Sequence, residues 1–259
     1  VLMKLSKSFS EFKKNHFRKK HQVIFFKKKC SDYKKIENIF NFILSKKNSF
    51  IFESVEKGKI RGRYTIIGLN PDKIWNINKN KISIKTKRST KVIKKDPLVY
   101  LNNLTNKFKI KIPKNLPSMS SMLVGYFSYD VIRYLEKIPD KCINDLNIPD
   151  VRLMRPKNLV IYDNFKKKIH FIENFFSDIP VKDYFDEYNS VKKKFDFYKF
   201  IEKINLKKNF SSKQNLNKIK SNTTKNKFIS SVLKAKKYIS MGDVFQVVLS
   251  QRFERKIEK

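Results

Sequence analysis

The chain is 259 residues long, and its 60 Lys and Arg against 23 Asp and Glu give a formal net charge of +37 at pH 7. Hydrophobic residues make up 40% of the sequence and include 23 Phe, which is enough to bury a core and excludes a disordered chain. No apolar run reaches the roughly 18 residues that a membrane-spanning helix needs, so we expect no membrane partner.

A basic excess this large is typical of proteins that bind nucleic acid or anionic membranes. Only nine of the 60 basic residues are Arg, whereas nucleic-acid binding proteins rely on Arg for paired contacts with bases and phosphates. The lysines are spread along the whole chain among abundant Asn, Ile and Phe, a pattern typical of drift in an AT-rich genome. We therefore expect no nucleic-acid partner, although the charge should favour acidic ligands. A stand-alone basic binding module is kept as an alternative.

The cysteines and histidines indicate no metal site. Cys30 and Cys142 have no CxxC spacing, and His16, His21 and His170 are scattered. This usage is typical of reduced thiols in a cytoplasmic protein, and the first 20 residues lack the apolar segment of a secretory signal.

The apolar periodicity predicts alternating strands and helices along most of the chain. In chain order these are strand 22–27, helix 33–46, strands 49–55, 63–68, 73–77 and 81–86, helix 97–107, strand 122–129, a short helix 130–136, strands 157–163 and 168–175, helices 181–204 and 225–240, and a terminal strand 244–253. Helix 97–107 carries the clearest start signal, with Asp96 as N-cap and Pro97 at the first helical position. The expected fold class is α+β, with mostly antiparallel sheet and flanking helices.

Three sequence blocks carry a family resemblance. The first is 52–71 (FESVEKGKIRGRYTIIGLNP), and the second is 125–139 (GYFSYDVIRYLEKIP) followed by 147–154 (NIPDVRLM). The third is 241–253 (MGDVFQVVLSQRF). The blocks resemble the anthranilate synthase component I family, in the order that the family has them, and the third is similar to the start of its chorismate-binding catalytic segment. The resemblance spans residues 50–253 and implies the amino-terminal part of that family's fold.

The resemblance implies a domain organisation. Residues 1–178 would form the amino-terminal, effector-binding domain, and residues 179–223 would form a helix and a linker rich in Lys and Asn. Residues 224–259 would begin an incomplete chorismate-binding catalytic domain. A terminal strand with nothing after it to pack against also indicates a piece of a longer protein.

The family converts chorismate and ammonia to anthranilate and pyruvate in tryptophan biosynthesis. The ammonia comes from glutamine through a partner glutamine amidotransferase, anthranilate synthase component II. The resemblance places the glutamates that hold Mg²⁺ and the acid–base groups beyond Phe253, so we assign no catalytic and no metal-binding residue here. Only Gln246, Ser250 and Gln251 are weak candidates for lining the catalytic cavity, and we expect the chain alone to be inactive.

Four residues form a candidate effector site. Glu53 and Ser54 end one strand, and Arg63 and Tyr64 begin the next, so a hairpin would bring a carboxylate, a hydroxyl and a guanidinium together. From the residues alone, a surface ion pair is the commoner explanation. The resemblance instead implies a site for tryptophan, the inhibitor, with Glu53 for the ammonium and Arg63 for the carboxylate. Arg63 is chosen over Arg61 by spacing.

Two further expectations concern the second block and the choice of pathway. We expect Asp130 to cap a helix and Arg133 and Glu136 to pair along it, which is a structural role.

The folate-pathway enzyme aminodeoxychorismate synthase component I shares the fold and is the alternative. Its terminal strand resembles YQVNL, whereas residues 245–249 here are FQVVL.

Overall fold

A computed structural model of the chain describes residues 5–53, 56, 58–108, 110–140, 144–179, 181, 183–203 and 218–255, without the side chains of 199–203. The chain divides into two compact units, Val1–Leu206 and Lys207–Lys259. The predicted linker, 205–223, lies largely outside the described residues.

The first unit contains an eight-stranded sheet within the described residues, and every pairing in it is antiparallel. Its strands are β1 (Gln22–Lys29), β2 (Phe50–Phe52), β3 (Tyr64–Asn78), β4 (Lys81–Thr86), β5 (Thr90–Lys94), β6 (Val124–Phe127), β7 (Val151–Asp163) and β8 (Lys168–Phe175). They follow the order β1-β8-β7-β3-β4-β5, with β2 also paired to β3 and β6 to β7.

Within its described residues, the first unit contains four α-helices: α1 (Phe9–Phe17), α2 (Tyr33–Leu44), α3 (Pro97–Lys107) and α4 (Tyr184–Lys203). The described part of the second unit contains α5 (Lys225–Ser240) and a short strand pair, β9 (Lys220–Ser221) with β10 (Phe253–Glu254). The predicted α+β class, with antiparallel sheet and flanking helices, is confirmed.

Both faces of the central strands are buried, because different segments cover them. One face carries Ile24 of β1 and Phe171 of β8 and packs on α1, α2 and α4 through a cluster that includes Phe12, Ile39 and Phe195. The opposite face packs on the irregular segment 110–122 through residues such as Val23, Phe25, Leu116, Ile161 and Ile172. This second face leads towards the candidate site.

The β3 strand is longer than the sequence predicts. The pattern breaks at Asn70 and Pro71, which favoured two strands, yet the chain continues through this point with an irregularity between Pro71 and Lys73. Asn70 adopts a left-handed φ of 51°, a conformation that Asn tolerates better than most residues. The irregularity absorbs the proline without ending the strand.

Other parts of the chain also differ from the sequence predictions, and β7 begins at Val151 where the expected strand was 157–163. Helix α1, capped by Ser8, and the exposed strand β5 were not predicted. The predicted strand 244–253 is wrong, since only Phe253–Glu254 is strand and 244–252 is irregular. An apolar alternation needs a neighbouring strand to form a ladder, and the described residues offer this segment only Lys220–Ser221.

The start of α3 follows the predicted cap, which gives a test of local stability. Asp96 Oδ1 accepts a hydrogen bond from the Val99 backbone N–H at 2.8 Å. We expect Asp96→Ala to lower the free energy of unfolding by about 1 kcal/mol. Asp96→Asn keeps an acceptor and is expected to cost only a few tenths of a kcal/mol. Urea denaturation measures both, and equal losses would show that the cap hydrogen bond contributes nothing.

Candidate functional site

The candidate effector residues lie at one end of the β2–β3 pair. The last paired residues are Phe52 and Ile66, so Glu53 leaves β2 at the same end at which Arg63 and Tyr64 enter β3. The predicted hairpin is therefore present. Ser54, the fourth candidate, lies outside the described residues, and the assignment of all four to an effector stays a prediction.

Glu53 is exposed and contacts helix α2. The Tyr33 hydroxyl, at the start of that helix, donates a short hydrogen bond to Glu53 Oε1. Burial of Tyr33, followed by this hydrogen bond to a carboxylate, raises the pKa of the phenol. Tyr33 thus fixes the position of the Glu53 carboxylate, a partner that sequence analysis missed.

Arg63 is held by Asp163, which lies 100 residues further along the chain. The guanidinium donates from Nε to Asp163 Oδ1 at 3.1 Å and from Nη2 to Oδ2 at 2.6 Å. The backbone N–H groups of Phe165 and Lys166 also donate to Oδ1, at 3.1 and 2.9 Å. Burial alone would raise the pKa of Asp163, but these four hydrogen bonds hold it below its usual value.

The pairing orients Arg63 without using all its donors. A guanidinium has five N–H groups, and two of them are directed at Asp163. The guanidinium carbon lies 4.8 Å from the centre of the Tyr64 ring and 5.7 Å from that of Phe165. A guanidinium fixed in this way can receive a ligand carboxylate. Among the described residues, Arg63 and Glu53 do not bond to each other directly.

Arg63 and Tyr64 line a cavity of about 360 Å³ at the end of the sheet face that carries Val23 and Phe25. Its remaining lining residues are mostly basic or belong to segment 110–122: Lys27, Lys114, Asn115, Leu116, Pro117, Asp163, Lys166, Lys168 and His170. Strands β1, β3 and β8, which are far apart in sequence, meet here because β1 pairs with β8 and β3 pairs with β7.

His170 is a second buried polar group of this cavity, beside Asp163. It is 5% exposed, lies opposite Lys27 in the β1–β8 ladder, and its Nδ1 has no hydrogen-bond partner among the described residues. Burial lowers the pKa of the imidazole to about 4, Asp163 opposes that shift, and the nearby Lys27, Lys168 and Lys166 add to it. His170 is therefore neutral at physiological pH.

A second cavity, of about 790 Å³, lies beside a buried ion cluster. Arg155 donates to both carboxylate oxygens of Asp72, at 2.9 and 2.6 Å, and to both of Asp178, at 3.3 and 2.9 Å. The Arg155 and Asp72 side chains are each 6% exposed, and the guanidinium carbon lies 3.9 Å from the centre of the Phe176 ring. The cluster ties the β3 irregularity to the segment after β8, which is a structural role.

The second sequence block is structural, although its details differ from prediction. Arg133 Nε donates to Asp130 Oδ1 at 2.9 Å, and Arg133 also donates to the carbonyls of Ile138 and Pro139. Asp130 does not cap the turn, because the 3₁₀ segment begins at Tyr129 after Ser128. Arg133 forms ion pairs with Asp130 at 2.9 Å and with Asp140 at 3.9 Å.

The second unit carries the weak catalytic-cavity candidates. Gln246 and Ser250 are exposed, and Gln251 Nε2 donates to the Ser221 hydroxyl at 2.6 Å.

No group of three His, Cys, Asp or Glu residues that could hold a metal occurs in the part of the chain that the structure describes. We assign no metal ligand among the described residues. No helix within them is long and apolar enough to cross a membrane.

Comparison with known proteins connects this architecture to one family. The family model described as "chorismate binding enzyme" matches residues 47–259. Anthranilate synthase component 1 from Acetivibrio thermocellus is 34% identical over 208 residues, covering 78% of this chain and 42% of that protein. The protein of the same name from Aquifex aeolicus is 31% identical, covering 83% of this chain and 44% of that protein.

The fold agrees with these sequence matches. A crystal structure of anthranilate synthase component I from Streptococcus pneumoniae superposes with a TM-score of 0.61 at 24% identity, covering 84% of this chain and 46% of the other. The chain therefore spans less than half the length of these matched proteins. Since the family model covers residues 47–259, the chain belongs to the chorismate binding enzyme family.

Proposed function

We propose that this chain is the amino-terminal part of an anthranilate synthase component I, which converts chorismate and ammonia to anthranilate and pyruvate in tryptophan biosynthesis. The observation that carries the proposal is the family match over residues 47–259, together with relatives of that name that are 34% and 31% identical. These relatives favour anthranilate synthesis over the aminodeoxychorismate alternative.

The proposal includes feedback inhibition by tryptophan at Glu53, Ser54, Arg63 and Tyr64. A tryptophan zwitterion presents an ammonium and a carboxylate, and the hairpin end presents the Glu53 carboxylate and the Arg63 guanidinium. Asp163 and Tyr33 fix those two groups in advance, which reduces the conformational entropy lost on binding.

The proposal also includes a glutamine amidotransferase partner that supplies ammonia, and Mg²⁺ bound by glutamates outside this chain. When bound, Mg²⁺ would supply charge stabilisation for substrate oxygens, a role suited to a hard cation. The described residues would then contribute folding and effector binding, and no chemical step is assigned to them.

The activity itself is tested by comparing two proteins. The full-length gene product that contains this chain is expected to form anthranilate from chorismate and ammonium, as measured by anthranilate fluorescence. The 259-residue chain alone is expected to form none above a no-protein control. Formation of aminodeoxychorismate in place of anthranilate by the full-length protein would overturn the proposed pathway. Turnover by the chain alone would instead show that its residues carry chemistry.

A further inference from the structure

We infer that the 360 Å³ cavity beside Arg63 is a binding site for a small dianion, either a phosphate group or a dicarboxylate. The cavity is lined by lysines from β1, segment 110–122, the β7–β8 turn and the start of β8, together with the buried imidazole of His170. This site extends beyond the residues proposed to bind tryptophan, and the inference does not depend on the proposed function.

The first observation is an uncompensated positive charge. Lys27, Lys114, Lys166 and Lys168 line the cavity, and none of them has an acidic partner among the described residues. The carboxylate in the lining, that of Asp163, is already held by the Arg63 guanidinium. Ammonium groups that line one cavity repel one another, so a bound anion would relieve that repulsion.

The second observation separates this cavity from the general lysine excess of the chain. The side chain of His170 is only 5% exposed, and its Nδ1 lacks a hydrogen-bond partner among the described residues. A buried polar atom without a partner costs stability unless a ligand or water satisfies it. An anion oxygen in the cavity can accept a hydrogen bond from this nitrogen in the appropriate tautomer.

The size and the lining favour a small molecule over a bare surface contact. A volume of about 360 Å³ falls in the range of about 300–1,000 Å³ that is usual for ligand pockets. Leu116, Pro117 and the Tyr64 ring provide an apolar wall for an organic portion, while the lysines face the charged oxygens. A free amino acid has no net charge and would leave the charge of the four lysines unchanged. A dianion would neutralise part of that charge.

The test is a calorimetric titration of the protein at constant ionic strength and neutral pH, in the absence of tryptophan. Inorganic phosphate probes the phosphate class, succinate probes the dicarboxylate class and acetate probes a single charge. We expect saturable one-to-one binding of phosphate or succinate, with the tighter of the two identifying the class, and much weaker binding of acetate.

Variants locate the binding. Lys27→Gln combined with Lys166→Gln removes two exposed lysines from the cavity and is expected to weaken binding about tenfold or more. Lys91→Gln combined with Lys94→Gln removes the same charge from the exposed strand β5 and is expected to leave the affinity nearly unchanged. Equal affinities in the two double variants, or no saturable binding of either dianion, would overturn the inference.

A direct readout of His170 guards against misinterpretation of a variant that folds poorly. In the unaltered protein, the side-chain NMR resonances of His170 are expected to shift with saturation of the dianion, and those of His16 are expected to stay in place. A titration that leaves the His170 resonances unmoved would show that the anion does not occupy this cavity.

Discussion

Arg155→Met is expected to lower the free energy of unfolding by about 3–5 kcal/mol. The substitution removes the guanidinium that hydrogen-bonds both oxygens of Asp72, whose side chain is 6% exposed. A buried carboxylate left without its partner must either stay ionised at high cost or take up a proton. The loss should appear as a lower midpoint in urea or heat denaturation.

Two further variants show whether burial is the cause. Lys35→Met breaks an exposed pair with Asp32, in which both side chains are about half exposed, and is expected to cost less than about 1 kcal/mol. Asp72→Asn added to Arg155→Met removes the stranded charge and is expected to restore part of the stability. If Arg155→Met is no more destabilising than Lys35→Met, the ion cluster contributes little.

The sequence predicts those parts of the fold whose signals are local. Helix α3 carries its cap and its proline within two residues, and the β7–β8 hairpin is marked by two apolar runs around Asn164. The continuity of β3 was missed because the Asn70–Pro71 signal is that of a turn, and pairing with β7 overrides it. The terminal strand was overpredicted because alternation alone does not supply a partner strand.

The candidate site is predictable only in part for the same reason. Arg63 and Tyr64 follow from a short hairpin pattern, whereas Asp163 meets Arg63 only through the pairing of β3 with β7, across 100 residues. Lys27 and His170 become neighbours through the register of β1 with β8. Nothing in the spacing of these residues indicates that register. A carboxylate at the end of an apolar strand, such as Asp163, is the one local signal that was available.

In the full-length protein, Glu53→Lys is expected to raise the tryptophan concentration for half-inhibition roughly 10- to 150-fold, because loss of a hydrogen bond to a charged group costs about 1.5–3 kcal/mol. We expect kcat to stay nearly unchanged, since the site is remote from the chemistry. The change places a like charge where the tryptophan ammonium would bind. Ser54→Arg is expected to act in the same direction. Anthranilate formation measured against tryptophan concentration provides the readout.

Glu56→Lys is the matched control, because it makes the same charge change three residues further along, at an exposed position. Arg63→Gln is a poorer probe, since it would also strand the buried Asp163 carboxylate and combine a loss of stability with any loss of effector affinity. The effector assignment requires that Glu53→Lys desensitises the enzyme and Glu56→Lys does not. If both variants keep the original tryptophan sensitivity, or both lose it equally, the carboxylate held by Tyr33 is not the group that recognises the inhibitor.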